Sequence, residues 1–229
     1  MTPAGRLPAV ALIPPACCGA GYFRRLRRAL GAGVEICGVE LPGRGRRYRE
    51  PALTSAERAL RDVQAQVPHS VGVVYGESLG AYIGLALLAE RGVRTCLIAA
   101  SNPAPRTRDD IDLAGIDSLD GAAAILSRLG GGPPAELGQD PAVAAQAHAL
   151  IRSDLLLSQG FIELTRRLVV DGDVRVLAGS EDGGMQQPED WQRHTRGSCS
   201  TVRLTGPHLL SGANPRGVAD AVLAVLRER

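Results

Sequence analysis

The feature that most constrains the fold of this chain is a regular alternation of strand-length apolar runs with longer amphipathic stretches. Six short runs rich in Val, Ile and Ala, bounded by Gly or Pro, are typical of buried β-strands: 9–13, 34–39, 71–75, 94–100, 174–178 and 201–204. Five longer stretches place apolar residues at helical spacing: 21–30, 55–66, 79–91, 188–195 and 215–227. This alternation predicts an α/β fold with a mainly parallel central sheet and helices on both faces.

One segment breaks the alternation. Residues 109–171 contain no convincing strand, but 122–129 and 143–157 have helical periodicity, and a Gly/Pro run at 130–134 separates them. An insertion of helices between two core strands is the simplest interpretation. A length of 229 residues suits one domain. We therefore expect a single domain over 1–229 with an inserted helical segment at about 107–172.

Composition excludes several function classes. All 26 basic residues are Arg and none is Lys, so Schiff-base chemistry, a P-loop lysine and a lysine general base are ruled out. The net charge of only +2 argues against a dedicated nucleic-acid binder, which normally has a strong basic excess.

The sequence also gives expectations about compartment and metal. No window approaches 18 uninterrupted apolar residues, and the apolar run 9–13 is too short for the core of a signal peptide. The five cysteines have neither metal-ligand spacing nor a disulfide pattern. We expect a cytoplasmic protein with reduced thiols, no metal, no cofactor and no membrane contact.

The motif that carries chemistry is the pentapeptide GESLG, Gly76 to Gly80. It follows the predicted strand 71–75 and opens the predicted helix 79–91, which is the context of a nucleophile elbow. Glycines are needed there because the turn packs backbone closely, and the serine hydroxyl then stands at a helix N-terminus. The motif predicts that Ser78 is a nucleophile, whereas a purely structural turn is the alternative.

A serine nucleophile needs a base and an orienting acid. His208 follows the last predicted strand, at the sheet edge where Ser78 must lie, whereas the other three histidines are less well placed: His69, His148 and His194. Asp182 comes at the carboxyl end of the penultimate predicted strand and is the predicted acid, with Glu181 as the alternative. Asp171 and Asp173 precede that strand and are expected to cap or turn.

The oxyanion hole is predicted from backbone N–H groups. One is that of Leu79, and the other comes from the loop after the first strand, where Ala16 is the first choice and Cys17 the second. The adjacent Cys17 and Cys18 admit a redox or acyl-relay role, but small residues packed near the elbow explain them as well.

With these motifs in place, the sequence resembles the type II thioesterases, stand-alone α/β-hydrolases that accompany polyketide synthases and nonribosomal peptide synthetases. LPGRGRR at 41–47 resembles the family's LPGRGxR loop and is the most distinctive match. Further segments resemble family motifs: PPACCGAGYF at 14–23 a PHAGGSASFF-type segment, SNPAP at 101–105 the entrance to the lid, RSD at 152–154 an RAD motif, and Trp191 with GPHLL at 206–210 the W and GGHFF positions.

The resemblance implies an α/β-hydrolase fold in which the insertion is a helical lid over the acyl site. Ser78, Asp182 and His208 fall on the family triad. The implied activity is hydrolysis of thioesters on the phosphopantetheine arm of an acyl or peptidyl carrier protein, for editing or release, without a cofactor of its own. The implied partner is that carrier protein, and we expect a monomer. Candidate substrate-binding residues are Cys17, Asp154 and Leu209, although Asp154 also suits a structural role.

Two groups of arginines, at 24–28 and 44–49, are candidates for steering an acidic carrier protein and its phosphate; a solvated surface is the alternative.

The sequence departs from the family pattern beside the elbow and the histidine. Glu77 stands where the family usually has His, Cys17 and Cys18 replace two glycines, and leucines at 209–210 replace an aromatic pair. These changes leave open acyl transfer or cyclisation instead of hydrolysis. A carboxylester hydrolase of small esters and a non-catalytic scaffold of the same fold are further alternatives.

Overall fold

The core of the structure, a computed structural model that describes residues 7–91, 95–132 and 140–228, is a six-stranded sheet. Its strands in chain order are β1 (Ala9–Ile13), β2 (Glu35–Gly38), β3 (Val73–Glu77), β4 (Cys96–Ala100), β5 (Val174–Gly179) and β6 (Cys199–Leu204). Their order in the sheet is β2-β1-β3-β4-β5-β6, and every pairing is parallel. The predicted parallel sheet is therefore confirmed.

Helices cover both faces of this sheet, also as predicted. The α-helices are α1 (Arg24–Leu30), α2 (Ala56–Gln66), α3 (Leu79–Ala89), α4 (Leu119–Arg128), α5 (Pro141–Thr165), α6 (Leu210–Ala213) and α7 (Pro215–Arg227). α2 and α3 pack on one face, and α1 and α7 pack on the other. Every side chain of β1, β3 and β4 is buried, because both faces of these central strands are covered. In the described ranges, no helix is both long and apolar enough to span a membrane.

Element boundaries differ from the predictions in ways that bear on the site. β3 begins two residues later than the predicted strand and continues through Glu77, which pairs in register with Ala100 of β4. The first two residues of the pentapeptide thus belong to a buried strand. The stretch 188–195 forms a 3-10 helix, Pro188–His194, and the stretch 21–30 divides into a 3-10 turn, Ala20–Phe23, and α1. Arg94, the first residue of the predicted fourth strand, and Pro133 and Pro134 of the Gly/Pro run lie outside the described residues.

The insertion between β4 and β5 is helical, and its described residues form no sheet strand. Its two helices pack on each other through a small apolar cluster that includes Ile125 of α4 and Ile151 of α5. The C-terminal half of α5 instead joins the main core through Leu157, Phe161 and Ile162. One long helix therefore links the insertion to the helices that cover the sheet.

Candidate active site

The turn between β3 and α3 has the geometry of a nucleophile elbow. Ser78 adopts φ 55° and ψ −118°, in the left-handed half of conformational space that a non-glycine residue rarely enters. A methyl group on Gly76 would collide with the carbonyl of Gly80, and one on Gly80 would collide with the carbonyl of Ile13. Both glycines of the motif are thus required by close backbone approach, as the sequence predicted.

Three side chains from separate parts of the chain meet at this turn. The Ser78 Oγ and the His208 Nε2 are 3.0 Å apart, and the His208 Nδ1 is 3.0 Å from the Asp182 Oδ2. The His208 side chain is 10% exposed and that of Asp182 is 5% exposed. The structure brings together the three residues predicted from the sequence, whereas the alternative acid Glu181 is exposed to solvent.

The other histidines are engaged elsewhere. His148 contacts the Ile116 carbonyl, the buried His194 lies between the Leu168 carbonyl and the Arg106 N–H, and His69 lies on an exposed turn. Burial lowers the pKa of His194, so it remains neutral at ordinary pH. Asp171 pairs with Arg196, and Asp173 accepts hydrogen bonds from the N–H and hydroxyl of Ser198. Both aspartates therefore make structural contacts, one with an arginine and one with Ser198, and their role as caps or turn residues stays a prediction.

Backbone donors for an oxyanion are available near Ser78. Leu79 is the first residue of α3, and within the described ranges neither its N–H nor that of Ala16 donates to a protein acceptor. The N–H of Cys17 is instead 2.5 Å from the Asp154 Oδ2. Of the two choices on this loop, the geometry favours Ala16, and its role stays a prediction.

Asp154 forms a buried ion pair that the sequence did not reveal. Its two carboxylate oxygens accept from the Arg44 guanidinium at 2.5 and 2.7 Å, and both residues are almost fully buried. Burial alone would lower the pKa of Arg44, but the carboxylate of Asp154 more than compensates and raises it. The pair joins the 41–47 loop, α5 and the oxyanion loop. The carboxylate is thus used inside the protein, and the predicted substrate contact of Asp154 is left without support from the geometry.

The adjacent cysteines have the environment of packed, unreactive thiols. Burial raises the pKa of Cys18 to about 11, and burial together with Asp154 raises that of Cys17 further. Both thiols are therefore protonated near neutral pH, and a thiol attacks much more slowly than a thiolate. Cys17 also packs against the apolar cluster of the insertion, which favours the packing interpretation over redox chemistry or acyl relay.

Glu77 is fully buried directly before the nucleophile. Its carboxylate accepts hydrogen bonds from the N–H of Ser211 at 2.9 Å, from the Ser211 hydroxyl, and from the Tyr22 hydroxyl at 3.3 Å. Ser211 lies in α6, three residues after His208, so Glu77 connects the elbow to the histidine segment. The signal for such an anchor was present in the sequence: an acidic residue at the end of a buried strand must find donors inside the protein.

Two adjoining cavities lie beside the triad. The inner one, about 540 Å³, is lined by Asp182, His208 and Leu209, among others, and the outer one has a volume of about 560 Å³. Leu209 is thus on the wall of a cavity next to the histidine, and its contact with substrate stays a prediction. Gly130, at φ +87°, covers the imidazole so closely that a Cβ there would lie 2.5 Å from the His208 Cγ.

Within the described ranges, no cluster of His, Cys, Asp and Glu is arranged to hold a metal ion.

Known proteins resemble this chain over most of its length. Residues 8–226 match the family described as "Thioesterase domain". Thioesterase PikA5 of Streptomyces venezuelae is 29% identical over 86% of this chain and 73% of its own length. AMB antimetabolite synthetase AmbE of Pseudomonas aeruginosa is 28% identical over 98% of this chain, which spans only 11% of that synthetase.

Solved structures share the fold at lower sequence identity. ClbQ from the colibactin NRPS/PKS pathway superposes with a TM-score of 0.82 at 18% identity, over 97% of this chain and 98% of ClbQ. The type II thioesterase BorB from the borrelidin biosynthetic cluster superposes with a TM-score of 0.78 at 21% identity, over 98% and 94% of the two chains.

Proposed function

The chain belongs to the thioesterase family, and on that premise we propose that it hydrolyses acyl or peptidyl thioesters held on the phosphopantetheine arm of a carrier protein in polyketide or nonribosomal peptide biosynthesis. The observation that carries this proposal is the continuous hydrogen-bonded chain from Ser78 through His208 to Asp182. The names of its relatives, which include a thioesterase and a synthetase, support the biosynthetic setting.

The first half of the reaction transfers the acyl group to the enzyme. The Ser78 Oγ attacks the thioester carbonyl while the His208 Nε2 takes the hydroxyl proton, and Asp182 stabilises the imidazolium through Nδ1–H. The carbonyl oxygen becomes negative and is bound by the N–H groups of Leu79 and Ala16. The imidazolium then gives its proton to the departing sulfur, which releases the arm as a free thiol.

The second half is hydrolysis of the acyl-serine. His208 takes a proton from water as the water oxygen attacks the ester carbonyl, and it returns that proton to Ser78 as the carboxylic acid leaves. Residues Ser127 to Gly130, at the C-terminal end of α4, line the cavity beside His208, and their cover would limit access of bulk water to the acyl-enzyme.

A panel of acyl-loaded carrier proteins tests the proposal. We expect release of free acid, transient acyl-enzyme on Ser78, and a loss of about 10⁴-fold or more in kcat for Ser78→Ala. Labelling with a fluorophosphonate, located by mass spectrometry, reports on the nucleophile independently of the substrate. A folded protein with no adduct on Ser78 would contradict catalysis altogether. Cleavage of nitrophenyl esters but not of carrier thioesters would favour a carboxylester hydrolase.

The cytoplasm is the proposed site of action. The protein has five cysteines, and all five are free thiols in the structure. Free thiols persist where the compartment is reducing, as the cytoplasm is.

A further inference from the structure

Two arginines stand where the inner and outer cavities adjoin. Arg108 lies in the loop after β4, and Arg128 is the last residue of α4. Each of them lines both the inner cavity, which also contains His208, and the outer cavity. A molecule that extends from the triad into the outer cavity therefore passes these two guanidinium groups.

Neither arginine has an acidic partner among the described residues. This distinguishes them from the internally paired Arg44, Arg47 and Arg166. Asp110, an acid on the outer wall, is instead held by Arg166 at 2.5 Å and by Gln159 at 3.1 Å. Arg108 is half-buried and Arg128 is exposed, and neither is paired with an acid in the described ranges, so both are available to an anion from outside.

The polarity of the outer cavity indicates which end of a thioester enters it. Asp109, Asp112 and Gln187 line it together with the two arginines. An apolar acyl chain gains little in such surroundings because it would desolvate charged groups. The arm of a carrier protein, in contrast, is polar and carries one phosphate.

We propose that Arg108 and Arg128 bind the phosphate of the phosphopantetheine arm and so direct the thioester towards Ser78. This inference rests on the proposed function. Guanidinium groups suit the task because they donate two parallel hydrogen bonds to phosphate oxygens and remain charged at any physiological pH.

The test compares two thioesters with the same acyl group: S-acyl-phosphopantetheine, which has the phosphate, and S-acyl-N-acetylcysteamine, which lacks it. For Arg108→Gln and Arg128→Gln we expect KM for the phosphate-bearing thioester to rise about tenfold, and further in the double variant, with kcat unchanged. KM for the phosphate-free thioester should stay at the wild-type value. Arg167→Gln with Arg216→Gln is the matched control, because both are exposed arginines that line neither cavity.

Three other outcomes would overturn the inference that these arginines bind the phosphate. An equal rise in KM for both thioesters would mean that the arginines act on the acyl group or on the fold, and no rise for either would mean that they bind nothing. A rise for malonyl but not acetyl N-acetylcysteamine would assign them to a carboxylate on the acyl chain. Failure of the wild type to cleave either thioester or any acyl-loaded carrier would contradict the proposed function itself.

Discussion

At the scale of single residues, Glu77 introduces a charged group into the interior beside the nucleophile. Burial raises the pKa of Glu77 above its ordinary value of 4.5, and the hydrogen bonds from Ser211 oppose this without cancelling it. The folded protein therefore holds the carboxyl proton to higher pH than the unfolded chain does. As pH rises from 4.5 through the folded pKa, the unfolded state binds fewer protons, and stability is lost.

Replacement of Glu77 by Gln removes this titration. We expect the free energy of unfolding of the wild type, relative to that of Glu77→Gln, to decrease as pH rises above the ordinary glutamate value of 4.5. Urea unfolding at several pH values measures the difference, with the exposed Glu163→Gln as control. A difference that does not vary with pH would contradict a raised pKa at Glu77.

Gly130 offers a second test at residue scale. An alanine there must adopt φ +87° and place its Cβ 2.5 Å from the His208 Cγ and 2.8 Å from Nδ1, so the imidazole or the backbone has to move. We expect kcat on a thioester to fall at least about tenfold, because small displacements of catalytic groups are costly. Gly132→Ala is the matched control: its Cβ meets no atom of the described residues within 4 Å, and we expect kcat within about twofold of wild type. Wild-type kcat in Gly130→Ala would show that this contact does not position the histidine.

At the scale of elements, the Arg44 and Asp154 pair fixes α5 against two loops. Asp154→Asn leaves a buried guanidinium without its counter-charge, and we expect a loss of about 3–5 kcal/mol in unfolding free energy. The double variant Arg44→Met with Asp154→Leu should recover most of that stability. We expect its kcat to stay below that of the wild type, because the Cys17 N–H loses the carboxylate of Asp154 as its acceptor. The exposed pair of Arg196 and Asp171 is the control, where Asp171→Asn should cost less than about 1 kcal/mol. Full recovery of kcat in the double variant would limit the buried pair to a role in stability.

The strands and helices also show which features of the fold and the site can be predicted from sequence patterns. β1 and α7 agree with the predicted bounds because apolar runs and helical spacing are local signals. The triad was predictable because strand order and chain order place three loops at one sheet edge. The pairing of Glu77 with Ser211, 134 residues apart, and of Arg44 with Asp154, 110 residues apart, was not, because no local pattern specifies the partner of a buried charge.

At the scale of the whole molecule, the arginines of the two groups differ in whether they are paired inside the protein. Arg44 and Arg47 are engaged in internal ion pairs, so they contribute little to an external field. Arg24 and Arg27 are exposed and line one surface groove of about 850 Å³, where Arg46 is also exposed but is paired with Glu40. A protein with a net charge of only +2 thus presents a local basic surface that suits an acidic carrier protein.

This surface predicts a dependence on salt that distinguishes a carrier from a small substrate. We expect kcat/KM for a carrier-bound thioester to fall as ionic strength rises from about 0.05 to 0.3 M, because salt screens the attraction between exposed charges. For the N-acetylcysteamine thioester, kcat/KM should stay constant. Arg24→Gln with Arg27→Gln should lower kcat/KM for the carrier and flatten its salt dependence, whereas Arg167→Gln with Arg216→Gln, of equal charge, should preserve both. If both pairs of substitutions have the same effect, the carrier responds to net charge alone and the groove is not its docking surface.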